Sequence, residues 1–381
     1  FLGNRELAES VNHLLVVGFY LINVGFVSLA LKYGDRPTDA ETATEVVLPG
    51  IVEPEGLVVR LRPVPTPAAG QALVRMEASG VSFAEQGMRR GRYPGQPKFP
   101  FVPGYDLVGT VAAVGPDVDE ALVGTRVAAI TKIGGWTTHA VLRAADLVPV
   151  PTGMDAGEAE TMVVNGVTAW QMLHRSAKVR SGQTILVHGA NGGVGSVLIQ
   201  LARHAGIRVI GVASPRHHDA LRLLGAEPVD YADLDALVAR VRELAPGGVD
   251  AVFDNIGGAT VLRSWELLAP HGTLVSYAIA AEVNSSTSME RHFVALMGRI
   301  AWWNILPNRR RATFYNVWSG SRVRPAAFRA RLREDLTAVF ALLADGVLRA
   351  QIAARLPLAE IVEAMRMAEA RAVPGKVVLI P

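Results

Sequence analysis

The stretch ILVHGANGGVGSVLIQLARHAG, residues 185–206, decides how the chain is read. ILVHG has the apolar, β-branched character of a short buried strand, and SVLIQLARHAG has apolar residues at helical spacing with Gly206 as a stop. Between them Gly189, Gly192 and Gly195 stand three apart, with Gly193 and Val194 inside the last interval. A glycine turn from strand to helix brings backbone N–H groups and the positive helix end against a pyrophosphate that a Cβ atom would hold away. The usual dinucleotide fingerprint has glycines at i, i+2 and i+5, which this turn does not match literally, so its surroundings must carry the reading.

Downstream, RVIGVA (208–213), the helix HHDALRLLG (217–225), PVDY (228–231), a helix to about Leu244, VDAVFDNIG (249–257), a helix near 259–269 and GTLVSYA (272–278) alternate strand with helix. That spacing predicts right-handed βαβ units and a doubly wound parallel sheet, a Rossmann-type α/β fold. RVIGVA ends about 18 residues past Gly195, where an acidic residue would bind the adenosine 2′-hydroxyl of NAD. Ala213, Ser214, Pro215, Arg216, His217 and His218 stand there instead. With no carboxylate to repel it, a 2′-phosphate suits Ser214, Arg216 and His218, so the expected cofactor is NADPH. A solvated helix start is the plainer reading of the same residues. Tyr277 and Ala278 end GTLVSYA at the carboxyl edge of the sheet, where open α/β folds bind ligand.

The length of 381 residues suggests two domains with an appended segment. Half the residues are hydrophobic and 19% are charged, which excludes disorder. There is no cysteine, hence no disulfide, thiolate nucleophile or Cys-ligated metal, and the histidines lack metal-binding spacing. The net charge is +3, and the five lysines and 33 arginines are scattered, so no nucleic-acid partner is expected. Short Val-rich runs broken by Gly and Pro at 56–61, 71–81, 107–115 and 125–130 predict a β-rich domain. After Phe328 come a helix through about Leu343, the strand IAARLPL (352–358), the helix AEIVEAMRMAEA (359–370) and a closing strand KVVLIP. From Ser10 to Leu31 run 22 uncharged residues, long enough for an N-terminal apolar helix that spans a bilayer, followed by a polar linker at 35–44. Arg5 before that run and Lys32 and Arg36 after it favour a membrane-anchored protein facing the cytoplasm. A buried or partner-packing helix is the alternative.

GVSFAEQGMRRGRYP (80–94), FVPGYDLVGTVAAVG (101–115), VVNGVTAW (163–170), the glycine turn, VFDNIGG (252–258) and PGKVVLIP (374–381) together resemble the medium-chain dehydrogenase/reductase superfamily, and more narrowly its zinc-free quinone oxidoreductase branch. Within that branch, 213–231 and 299–311 are similar to the synaptic vesicle membrane protein homologues. The resemblance implies a GroES-like substrate domain built from 45–165 and 322–381, with an NADPH-binding Rossmann domain, 166–321, inserted between them and 1–44 preceding both. It implies that Ser82 and Tyr105 replace the Cys and His zinc ligands of metal-dependent relatives, so no metal site is expected. It places Ser82, where the branch usually has Asn, together with Tyr93 and Thr168 beside nicotinamide and substrate. Tyr93 also reads as a turn aromatic before Pro94, and Thr168 as a helix-interior residue. By the same resemblance Tyr231 lies on the adenosine phosphate side and Asn255 and Gly257 under the nicotinamide ribose. Lys376 approaches the cofactor or, more plainly, faces solvent.

The expected activity is NADPH-dependent, zinc-independent hydride transfer to a quinone or α,β-unsaturated carbonyl, whose conjugation spreads the arriving charge. An enoyl thioester fits the same motifs. The alternative is a non-catalytic NADPH-binding, membrane-associated adaptor or redox sensor. HFVALMGRIAWWNILPNRRR (292–311) reads as an interfacial or lid helix, or as a core or dimer-packing helix followed by a solvated basic turn. Family likeness suggests a homodimer.

Overall fold

A computed structural model describes residues 42–284, 288–370 and 372–381. The expected anchor at 10–31 lies outside the described residues. Among the described residues, no helix is long and apolar enough to cross a membrane. The chain divides into two units, Phe1–Ala43 with Leu61–Val64 and Thr44–Arg60 with Pro65–Pro381. Of the first, only 42–43 and 61–64 are described, at the ends of strands β1 (Thr42–Val47) and β2 (Val58–Pro63). Everything below concerns the second.

Its first sheet takes β3 (Gln71–Val81), β4 (Asp106–Val114), β5 (Arg126–Ile130), β6 (His139–Arg143) and β7 (Val148–Pro149) from the N-terminal half. β14 (Ile352–Pro357) and β15 (Lys376–Ile380) come from the tail. The order is β14-β15-β3-β4-β5-β7, with β6 paired to β3. Val377–Leu379 run antiparallel to Val81–Ser79, so the tail completes the N-terminal sheet, and the apolar Val377, Val378 and Leu379 are buried. This is the GroES-like part.

The second sheet is wholly parallel: β8 (Thr184–His188), β9 (Arg208–Val212), β10 (Glu227–Val229), β11 (Val249–Asp254), β12 (Leu268–Ser276) and β13 (Arg311–Phe314). They lie in the order β10-β9-β8-β11-β12-β13. This is the Rossmann order, with its switch point between β8 and β11, where such sheets bind ligands beyond the strands' carboxyl ends. β13 begins at Arg311, so the basic segment read as a solvated turn runs into the outermost strand.

Helix α1 (Phe83–Arg89) follows β3, and α2 (Ala156–Trp170) packs against β3, β4 and α3 (Gly193–His204), while its continuation over Gln171–Ala177 meets β12 of the second sheet. The domain boundary expected after residue 165 falls inside α2. Past Trp170 the helix widens to i→i+5 bonding over Gln171–Ala177 and stops at Lys178, whose φ is 56°. The remaining helices are α4 (His218–Leu224), α5 (Leu234–Leu244), α6 (Gly258–Glu266), α7 (Met289–Ile305), α8 (Pro325–Ala344) and α9 (Ile361–Ala370). On α7, Trp303 is buried and stacks on Trp265 at 4.6 Å, while Trp302 is 60% exposed.

Candidate active site

β8 ends at His188, and Gly189 turns the chain with φ +60°, a conformation that a Cβ would strain. Ala190 N–H donates to Val212 O (3.1 Å), pinning the turn to β9, and Gly192 N–H donates to Gly189 O (2.9 Å). α3 then begins with Gly192 as its N-cap and no side-chain cap on its first turn. A Cβ on Gly195 would sit 2.5 Å from Gly189 O and 2.8 Å from Ala190 Cα; one on Gly193 would meet the Asn165 amide, and one on Gly189 that of Asn255. The bare helix start is therefore open only because these positions are glycine. Asn255 Oδ1 beside it is buried with no partner. An uncapped positive helix end at the switch point fits a nucleotide's phosphate bridge, whereas the Asn255 Oδ1, an acceptor, fits a donor such as a ribose hydroxyl.

The loop carrying Asn255 and Gly257 is held from beneath. Asp254, fully buried, accepts from Ile256 N–H and Gly257 N–H (2.8 Å each) through one oxygen and from Ser264 Oγ (2.9 Å) through the other. Ser264 Oγ also contacts His188 Nε2 at 3.0 Å. Burial holds the His188 imidazole below its usual range although the Asp254 charge opposes this, so it stays neutral and serves as a strut. Tyr277 N–H donates to Asp254 O (3.0 Å), which brings Tyr277 and Ala278 to the same edge. Burial, then the Asp254 charge, push the Tyr277 phenol up.

At the end of β9, Ser214 precedes a turn formed by Pro215–His217. Arg216 Nε donates to His217 Nε2 (3.1 Å), and His218 Nε2 lies 3.1 Å from Ala213 O. Tyr231, past β10, is 59% exposed. Ser214, Arg216 and His218 therefore share one end of the sheet, and no carboxylate occupies the β9 terminus.

In the GroES-like part, Ser82 is the N-cap of α1. Its N–H (2.9 Å) and its hydroxyl both donate to Glu85 Oε2, and Ala84 N–H donates to Ser82 Oγ (3.2 Å). The Ser-x-x-Glu spacing was legible as a capping box but was not read. Glu85 also accepts from Tyr105 N–H (2.6 Å), and burial raises its carboxyl pKa against the lowering effect of the Ser82 bond. Tyr105 in turn meets Tyr93, hydroxyl to hydroxyl at 2.7 Å, and Trp318 Nε1–H donates to Tyr105 Oη (2.6 Å). Since an indole N–H can only donate, Tyr105 can pass its own hydrogen to Tyr93, leaving the Tyr93 O–H to point elsewhere. Burial pushes both phenols up, so they are protonated donors at neutral pH.

Thr168 is 7% exposed on α2; in the same region the Tyr315 hydroxyl donates to Gln171 Oε1 (2.9 Å), and Gln171 Nε2 donates to the buried Asp335 (2.7 Å). Trp318 and Tyr315 had no motif to announce them. They lie between β13 and α8 and reach back to the first half of the chain.

Lys376 corrects the expectation that it faces solvent. It is 6% exposed, and its ammonium donates to Asp106 (3.0 and 3.1 Å) and to Glu160. Asp106 also accepts from Val164 N–H (3.1 Å), so this buried triad ties β15 and β4 to α2.

The chain belongs to the medium-chain dehydrogenase/reductase superfamily, in its quinone oxidoreductase branch. The alcohol dehydrogenase GroES-like domain family matches residues 68–152 and the zinc-binding dehydrogenase family residues 224–379. Among individual proteins, the chain is 32% identical over 328 residues to the synaptic vesicle membrane protein VAT-1 homolog of Rattus norvegicus, covering 83% of this chain and 78% of that one. Among solved structures, a mycobacterial protein in complex with NADPH superposes with a TM-score of 0.76 at 29% identity, covering 89% of this chain and all of that one. A Pseudomonas syringae pv. Tomato quinone oxidoreductase gives 0.77 at 29% identity with the same coverage.

Proposed function

We propose that the protein is an NADPH-dependent, zinc-independent oxidoreductase that reduces a quinone or α,β-unsaturated carbonyl. The uncapped, glycine-lined start of α3 at the sheet's switch point carries this reading, and the relative solved with NADPH supports it. NADPH supplies the hydride. The turn at Gly189, Gly192, Gly193, Val194 and Gly195 binds the phosphate bridge, and Ser214, Arg216 and His218, with Tyr231 beside them, receive the 2′-phosphate. Asp254 keeps Asn255 and Gly257 in place beneath the ribose, and Tyr277 and Ala278 close the edge.

On the acceptor side, Tyr93, backed by Tyr105 and Trp318, donates a hydrogen bond to the oxygen on which negative charge develops. Thr168 contributes from α2. Ser82, its hydroxyl held by Glu85, shapes the wall opposite. Ser82 and Tyr105 offer a metal neither imidazole nor thiolate, which fits an acceptor that needs no Lewis acid.

That commitment of the Ser82 hydroxyl is also what favours a second reading, a non-catalytic NADPH-binding adaptor or redox sensor. NADPH consumption with a panel of quinones, enals and enoyl thioesters separates the two: turnover of any of them supports the enzyme, and binding without turnover supports the adaptor. We assign a homodimer, supported by the outermost strand β13 beside the exposed Trp302 and Ile305. Sedimentation at monomer mass would refute it. Membrane contact through 10–31 and a cytoplasmic face rest on sequence and are tested by fractionation.

A further inference from the structure

α2 sends a side chain to the phosphate turn that no motif announced. Asn165 is 9% exposed, and its amide nitrogen is the nearest atom, at 2.4 Å, to the position a Cβ on Gly193 would take; its Oδ1 is farther, at 3.3 Å. Its side chain makes no hydrogen bond with any described residue. The residue is nine-tenths buried, and the amide it presents to the turn meets no protein partner, which leaves its N–H groups to water or to a ligand. What it faces is the uncapped first turn of α3. Asn165 also precedes Thr168 by three residues, so both lie on one face of α2, and the Asp106 carboxylate fixes that stretch through Val164 N–H.

We propose that Asn165 is an additional nucleotide-binding residue whose amide N–H donates to the phosphate on the nicotinamide side of the bridge. The inference rests on the NADPH reading above and deepens it. The same reading supplies the direction: with Thr168 on the acceptor side, α2 runs from the glycine turn at Asn165 towards the nicotinamide end. Together Asn165 and Asn255, against Gly193 and Gly189 respectively, clasp the turn from two sides. The glycine at 193 is then required to make room for this amide as well as for the ligand.

The test is calorimetric titration of the full chain with NADPH and with 2′,5′-ADP, which lacks the nicotinamide half. Asn165→Ala should weaken NADPH about tenfold or more, the loss of one charge-assisted bond, and leave 2′,5′-ADP unaffected. Asn165→Asp keeps the shape, guards against misfolding of the alanine variant, and should weaken NADPH further because a carboxylate opposes a phosphate. Unchanged NADPH affinity in both variants overturns the proposal, and equal losses for both ligands overturn the nicotinamide-side placement. If the unaltered protein binds no NADPH, the underlying reading fails, and this one with it.

Discussion

Gly195→Ala tests the phosphate turn most sharply, because the new methyl has nowhere to go. Its carbon would stand 2.5 Å from Gly189 O, 2.8 Å from Ala190 Cα and 2.8 Å from Ala190 O, all backbone atoms of the turn itself. Ordinary contact begins near 3.4 Å, so the turn and α3 must separate by close to 1 Å. Ala190 N–H is bonded to β9, and Gly192 N–H closes the turn on Gly189 O, so the strain has no free loop to relax into. Overpacking of this kind costs about 1–3 kcal/mol, and at about 2–4 °C per kcal/mol for domains of this size the melting temperature should fall by several degrees. The same displacement moves the N–H groups that meet the phosphates, so NADPH affinity should fall by well over tenfold. Thermal unfolding and fluorescence titration read the two effects. A variant with native melting temperature and native NADPH affinity would refute the assignment of this turn.

Four further outcomes follow from the geometry. Tyr93→Phe should lower kcat about 10–100-fold through loss of one donor to developing charge while leaving NADPH affinity unchanged, and steady-state kinetics against binding will show the split. Asp254→Asn replaces an acceptor of two loop N–H bonds and should destabilise by about 1.5–3 kcal/mol, read by urea denaturation, with native stability as the contrary result. Lys376→Met strands two buried carboxylates and should destabilise by about 3–5 kcal/mol; a smaller loss than that of an exposed lysine variant would contradict the triad. For pH, burial raises the Glu160 carboxyl well above 4.5, against the opposing Lys376 charge, and a carboxyl so raised gives stability that is full below its unfolded value and lost as pH climbs through the folded one. The Glu160 contribution should therefore decline above about pH 4.5, and Glu160→Gln should remove it from the pH profile, leaving the Glu85 part of the same sign and the opposing gain from His174, His188 and His217, whose imidazoles are held below their usual range. The Lys376 contribution, its ammonium raised above 10.5, is lost only at higher pH.

The parallel sheet was legible because its strands are buried on both faces and read as unbroken apolar runs such as ILVH and AVFD. β13 was missed because it starts in Arg311 and is four residues long. Lys376 was misread for a different reason. A lysine before VVLIP reads as a solvated strand end, and nothing local shows that Asp106 and Glu160, both distant in sequence, converge on it. Local chemistry could show a glycine turn at the end of a strand. It could not show the chain from Trp318 through Tyr105 to Tyr93, because that chain joins the segments before and after the Rossmann sheet. Ser82 sits between these cases: its capping partner three residues on was in plain view, and the resemblance drew attention to its place in the cleft instead.

The most direct measurement follows NADPH absorbance at 340 nm with a small quinone or enal, before and after exhaustive treatment with a chelator. Hydride transfer at the same rate in both is the predicted result. Loss of turnover on chelation, or no oxidation of bound NADPH by any acceptor, would contradict a metal-independent reductase built on this turn and the Tyr93 donor.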